Sequence, residues 1–148
     1  MKVLFPLVGD SVGGSHWSVI ELYKELKKIG VDAHIVIHQS DGKLYSLLKN
    51  NDINFIIFPI KHLAGESPAT YKIAFRILTN FSKIYSFIKT NKYDIVHGND
   101  LRINLTWSFP TIFTRQKFIW HQRTLLSSSA FWHLISLLCN HFIAISNT

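Results

Sequence analysis

The sequence holds a single cysteine, Cys139. No disulfide can form within the chain, which excludes a disulfide-stapled secreted scaffold and suits a reducing compartment. Cys139 lies in an apolar segment and reads as a small buried hydrophobe. No apolar run approaches the ~18 residues of a membrane-spanning helix. The opening "MKVLFPLVG" does not make a secretory leader, because Pro6 interrupts its apolar run and no small-residue cleavage site follows. Charge is scarce, at 17% of residues, which is low for a freestanding soluble domain. Acid is scarcer than base: nine Asp and Glu against sixteen Lys and Arg give a net charge of +7. Such a balance favours anionic partners (nucleic acid, lipid headgroups or phosphorylated substrates) without choosing among them. Histidine, cysteine and acid nowhere take convincing metal-ligand spacing. No Ser-His-Asp arrangement can be argued, and Ser127 to Ser129 read as helix-capping residues. The sequons at Asn80 and Asn104 carry no meaning in a cytoplasmic protein. There is no internal repeat and no low-complexity tract.

What is present is a core. Apolar residues make up 47% of the 148 and aromatics 14%, so the chain is not disordered. A domain of this size buries ~70% of its unfolded surface. Continuous apolar runs at 2–8, 31–38, 53–60, 93–100, 117–123 and 141–146 read as buried strands. Between them lie helical patterns at 15–29, 41–51, 69–90 and 127–140, and a helix over 100–108 broken by Pro110. Gly30 is a natural stop for the first helix, with Lys24, Lys27 and Lys28 suiting the dipole of its last turns. In the long helix, Ala74, Phe75, Leu78, Phe81, Tyr85 and Ile88 form the expected core stripe. Apolar strands alternating with helices predict a doubly wound, Rossmann-like α/β fold. The expected sheet is parallel, with about six strands in the order 3-2-1-4-5-6 and a ligand crevice between strands 1 and 4. The single domain spans 1–148 and resembles the front half of something larger.

This plan brings three polar loops together at the carboxyl ends of strands 1, 4 and 5: "GDSVGGSH", "HGNDLR" and "HQRTLLSSS". In the first, Gly13 and Gly14 remove side chains where a ligand must approach or the chain must turn. The helix from Ser15 offers free N–H groups, a ready anion site. No Lys-Ser/Thr follows the glycines, so this is not a P-loop, and their spacing is not G-x-G-x-x-G. His97 and His121 end strands 4 and 5, where a ring N–H can donate to a sugar hydroxyl or a phosphate. His34 and His38 share a strand face and read as structural.

These pieces resemble glycosyltransferase family 4, the retaining GT-B enzymes. "GGSHWSVIELYKELKKIGVDAHIV" is similar to the family's opening, and "KYDIVHGND" resembles its "PDIVHxH" strand. "KFIWHQR" resembles its strand-end histidine motif, and "HFIAISNT" the segment before the interdomain crossing. The resemblance implies the N-terminal, acceptor-side half of a GT-B fold. It implies a nucleotide-sugar co-substrate, a glycan or lipid-linked acceptor, and no metal cofactor. The C-terminal domain that grips the donor, with its E-x7-E region, is absent, so little activity is expected of the chain alone. By the family's motifs His121 is catalytic, contacting the donor sugar near the reacting carbon. Gly13, Gly14, Ser15 and Arg123 belong to the donor side, and His16, His97, Asn99, Asp100 and Arg102 to the acceptor side. The family often has a second histidine where this chain has Asn99.

Two further readings concern surfaces. Lys72, Arg76 and Lys83 share a helix face that can hold an enzyme against anionic lipid, which places a cytoplasmic protein peripherally on the inner face of a membrane. A non-catalytic, membrane-recruiting or scaffold subunit for a separate catalytic half is the alternative. A nucleic-acid module fits the basic charge loosely, yet the aromatics lie on strands and core faces and no such module matches. No nucleic-acid partner is expected.

Overall fold

The computed structural model describes residues 1–66, 69–123 and 134–144. The chain runs β1 (Lys2–Leu7), α1 (Gly14–Lys28), β2 (Asp32–Ile37), α2 (Lys43–Asn50) and β3 (Phe55–Ile57). It continues through α3 (Thr70–Asn91), β4 (Ile95–Gly98), α4 (Leu101–Phe113), β5 (Lys117–Gln122) and β6 (His141–Ala144). All strand pairings are parallel, in the order β3-β2-β1-β4-β5-β6. This is the predicted α/β sheet, with the strand order reversing beside β1, between β1 and β4.

The apolar strand runs follow from a sheet covered on both faces. Val3, Phe5 and Leu7 pack with Val19, Ile20, Leu44 and Leu48 of α1 and α2. Leu4 points the other way and joins Ile73, Ile84 and Ile88 of α3 and Leu105 and Trp107 of α4. Each fully buried side chain of this kind stabilises the fold by roughly 1.5–3 kcal/mol. Gly30 lies past the end of α1 with φ +78°, the left-handed conformation that suits a helix stop.

Three expectations are corrected. First, α4 does not break at Pro110 but runs through it to Phe113. Proline removes the N–H that would bond the Thr106 carbonyl. Burial of Ile103, Leu105 and Trp107 holds the helix regardless. Second, the core stripe of α3 is rotated from the expected one. Ile73, Ile77, Ile84 and Ile88 are buried, while Phe75 and Leu78 are each 66% exposed. Third, β3 keeps only three of the eight expected residues, and Pro59, lacking an N–H, lies beyond it. The expected helix at 127–140 lies mostly outside the described residues, of which 134–136 are helical.

Candidate functional site

The loop after β1 carries glycines of two kinds. Gly9 has φ +105°, and a Cβ there would lie 2.7 Å from the Gln39 carbonyl oxygen. A Cβ on Gly42 would lie 2.0 Å from the Gly9 carbonyl oxygen. These two let the loops after β1 and β2 touch backbone to backbone. Gly13 and Gly14 are different. Open space surrounds both, and Gly13 is extended, at φ −151°. Among the described residues no neighbouring atom would exclude a side chain at either position. What they provide is unobstructed backbone at the start of α1, with the N–H groups of the first turn on offer. His16 closes that turn: its Nδ1 accepts from the Gly13 N–H at 3.1 Å, and its own N–H donates to the Gly13 carbonyl at 3.0 Å. Burial lowers the His16 pKa, outweighing the nearby Asp100 and Asp10.

Arg102 lashes this loop to α4. Its Nη1 donates to Asp10 Oδ2 at 2.8 Å and its Nε to Asp100 Oδ1 at 3.3 Å. Asp100 caps α4 by accepting the Arg102 N–H at 2.8 Å. Burial pushes the Asp10 carboxyl up, but Arg102 prevails and holds it below its ordinary value. Asp10 is thus a carboxylate spent on a cation. Arg102, expected on the acceptor side, is likewise engaged within the protein.

His97, at the end of β4, is buried with only 6% of its surface exposed. Its ring lies 5.3 Å from that of Phe5 and stacks on His121 of β5, with centroids 5.7 Å apart and planes 13° from parallel. Burial first, then His121 and Arg123, push its pKa down to about 4. It is neutral at neutral pH, and its Nε2 has no hydrogen-bond partner among the described residues. The His97 ring thus lies near-parallel to that of His121, on the neighbouring strand. His121 is half-buried, and burial and Arg123 lower its pKa as well.

Arg123 draws the three loops together. Its Nε and Nη2 donate to Asn99 Oδ1 at 3.3 and 3.2 Å, and Nη2 to Ser18 Oγ of α1 at 3.0 Å. Nη2 also lies 3.3 Å from His121 Nδ1. Asn99 Nδ2 in turn donates to the His97 carbonyl at 3.2 Å. The expected convergence of His16, His97, His121, Asn99, Asp100 and Arg123 is present.

Two supports escaped sequence reasoning. Asn104 is fully buried and reaches between β4 and β5. In the orientation that satisfies both ends of its amide, it donates to the Gly98 carbonyl at 3.2 Å and accepts from Trp120 Nε1 at 3.1 Å. A Cβ on Gly98 would lie 2.1 Å from the Asn104 side-chain amide, so this glycine has an internal cause. Asn104 stood out in the sequence only as a sequon, and its burial bars glycan attachment. Ser18 carried no signal at all.

Beside the glycine loop, at the ends of β2 and β3, a cavity of about 480 Å³ is lined by Gln39, Ser40, Asp41, Lys61, Asn80 and Lys83, among others. The Gln39 N–H donates to the Val8 carbonyl, which ties this wall to the first loop. His38 behind it is structural, as is His34 at the other end of β2. His38 stacks on Trp107 and accepts its Nε1–H at 3.0 Å, while its Nδ1 meets the Phe58 carbonyl at 2.8 Å. His34 bonds Tyr93 and Asp32.

The basic trio of α3 does not form one free face. Arg76 pairs with Glu66 at 3.1 Å and donates to the Leu63 carbonyl. Lys83 donates to the Pro59 carbonyl and lies over the Phe58 ring. Both tie the segment before α3 to the helix, and Lys72 lies only over its neighbour Tyr71. Among the described residues no group of three or more His, Cys, Asp or Glu could hold a metal ion, and no helix is long and apolar enough to cross a membrane.

No curated protein sequence matches the chain. Solved structures share its fold, three of them as follows. Anabaena HepE in complex with UDP and glucose gives a TM-score of 0.68 at 19% identity, covering 100% of this chain and 38% of its own. Acinetobacter baumannii MurG gives 0.68 at 15% identity, covering 97% and 41%. A glycosyltransferase from Rickettsia africae ESF-5 gives 0.72 at 22% identity, covering 98% and 36%. The chain thus spans about two fifths of each, and the likeness extends to the fold of these GT-B proteins. The sequence model of Glycosyltransferase Family 4 matches residues 12–148, nearly the whole length, and the chain belongs to that family.

Proposed function

We propose that this chain is the N-terminal, acceptor-side domain of a retaining glycosyltransferase of the hexosyltransferase type. It would move a sugar from a nucleotide-sugar to a glycan or lipid-linked acceptor, and need a second, donor-gripping domain to turn over. The observation that carries this reading is the pair Gly13 and Gly14. Open backbone at a helix start, with no described neighbour that would exclude a side chain, suits the close approach of a diphosphate. In the transfer, the bond from the anomeric carbon to the diphosphate oxygen breaks, and the electron pair leaves with the diphosphate. The acceptor oxygen forms the new bond and passes its proton to the departing diphosphate oxygen. Charge grows on the leaving group, where the N–H groups of Gly14 and Ser15 at the positive end of α1 would stabilise it without a metal. His121 would donate to the donor sugar near the reacting carbon. His16, Asn99 and Asp100 would border the acceptor, which extends into the polar cavity at β2 and β3. UDP in HepE makes a uridine nucleotide the first donor to try.

Calorimetric titration with UDP-glucose tests the reading. The chain alone should bind weakly, and restoring a C-terminal domain should tighten binding at least tenfold. Gly13→Val should weaken that binding with no loss of fold. Equal binding by Gly13→Val, or tight and steeply salt-dependent binding of DNA or RNA instead, would overturn it.

A second observation favours contact with a membrane surface, in line with a place on the inner face and a role in cell-envelope synthesis. Tyr71, Phe75 and Leu78 of α3 are 72%, 66% and 66% exposed. They neighbour Lys72 on a chain of net charge +7, so apolar and cationic groups face outward together.

A further inference from the structure

We infer that Arg123 is a positioning residue that fixes His121 as a neutral imidazole with its hydrogen on Nε2, making His121 a hydrogen-bond donor and not a base. The inference rests on the proposed contact of His121 with the donor sugar only for its consequence in the reaction. The geometry stands by itself.

A guanidinium has donors and no acceptor, and it stays charged at any pH the protein meets. Arg123 Nη2 lies 3.3 Å from His121 Nδ1. Only a lone pair on Nδ1 is compatible with that contact. The Nδ1–H tautomer would set two donors against each other. The imidazolium would do the same and add a second positive charge. A neutral ring whose Nδ1 is a lone pair must carry its hydrogen on Nε2. Proton uptake from substrate would have to occur at Nδ1, which Arg123 occupies. General-base action by His121 is therefore closed, and donation from Nε2–H remains.

The guanidinium is itself held. Asn99 Oδ1 takes both Nε and Nη2, and Ser18 Oγ takes Nη2 from the side of α1. Nη2 has two hydrogens for three neighbours, so its bond to Nδ1 is shared; the exclusion of a hydrogen from Nδ1 does not depend on its strength. The neutral His97 ring lies near-parallel to His121, with centroids 5.7 Å apart, and brings no charge to it. Among the described residues, Arg123 is the charged group that bears on the ring and it disfavours a cationic His121, while the stacked His97 is neutral.

The test uses the 148-residue chain labelled with 15N-histidine. Imidazole nitrogen shifts distinguish the two neutral tautomers and the cation. Wild-type His121 should show the Nε2–H tautomer alone, with a titration midpoint below that of an ordinary histidine. In Arg123→Met the Nδ1–H tautomer should appear and the midpoint should rise. Arg123→Lys, which keeps a donor and a charge, should retain most of the wild-type pattern. Asn99→Ala frees the guanidinium without removing it and should give an intermediate spectrum, so the idea stays testable if Arg123→Met does not fold. A hydrogen on Nδ1 in the wild type, or a folded Arg123→Met whose spectrum and midpoint match the wild type, would overturn the inference. No nucleotide-sugar is present in these spectra. Failure of the transferase reading would leave the tautomer result intact, and the reverse also holds.

Discussion

His38 and His97 are buried in the neutral form, and both have pKa values lowered to about 4, mainly by burial. In the unfolded chain each would titrate near the ordinary histidine value of ~6.5. Below that pH the unfolded state takes up protons that the folded state refuses. Their contribution to stability is therefore complete above pH ~6.5 and is lost progressively down to pH ~4. The loss is on the order of 3 kcal/mol for each histidine. Urea unfolding followed across this window should show a falling midpoint, and His97→Phe, which keeps an aromatic ring, should flatten the fall. An unchanged slope in that variant would contradict the burial of His97 as a neutral ring. Both histidines were conspicuous in the sequence because they end strands. Their different tasks were not, because only the packing of Trp107 and Phe58 around one, and His121 and Phe5 around the other, separates them.

At the scale of elements, β4 meets α4 through Gly98 and Asn104. Gly98→Ala would drive a methyl into the Asn104 side chain, which is itself committed to β4 and β5. A loss of ~1–3 kcal/mol is expected in chemical denaturation. Gly13→Ala, with open space around it, should cost no more than ~1 kcal/mol in the same measurement, the penalty of alanine at the N-cap of α1. The contrast separates a glycine required by its neighbours from one proposed to face a ligand. Helix α3 shows how far periodicity reaches. Its 3.6-residue repeat was legible, but its phase was not. Apolar residues at 71, 73, 74, 75, 77, 78, 81, 84, 85, 87 and 88 cover overlapping stripes. The sheet accepted the narrower isoleucine stripe and left Phe75 and Leu78 outside. Helix α4 crossed Pro110 for a related reason: burial outweighs one missing hydrogen bond.

For the whole molecule, the outward apolar residues of α3 and the net charge of +7 predict association with anionic vesicles. In flotation assays the chain should rise with vesicles rich in acidic lipid and be released by salt, as a Debye length of ~8 Å at physiological ionic strength implies. The double variant Phe75→Asp and Leu78→Asp should stay at the bottom. Flotation unaffected by those changes would place the contact elsewhere. The sheet order belongs to this scale and was legible beforehand. Alternating strands and helices with right-handed crossovers leave few ways to arrange six parallel strands. The convergence of three loops followed from that order alone.

The alternation of apolar runs and amphipathic helices determined the fold, because each strand had to be covered on two faces and each helix on one. The same order determined which loops would meet. Tertiary structure decided what each side chain does once there. Arg102 and Arg123 are both cations near one crevice, yet one is spent on Asp10 and Asp100 while the other holds His121 and Asn99. Lys83 and Arg76 looked free and are tied to carbonyls. Periodicity encodes which way a residue points within its own element. Its partner is set by distances of a few ångströms between elements far apart in the chain, and those exist only after folding.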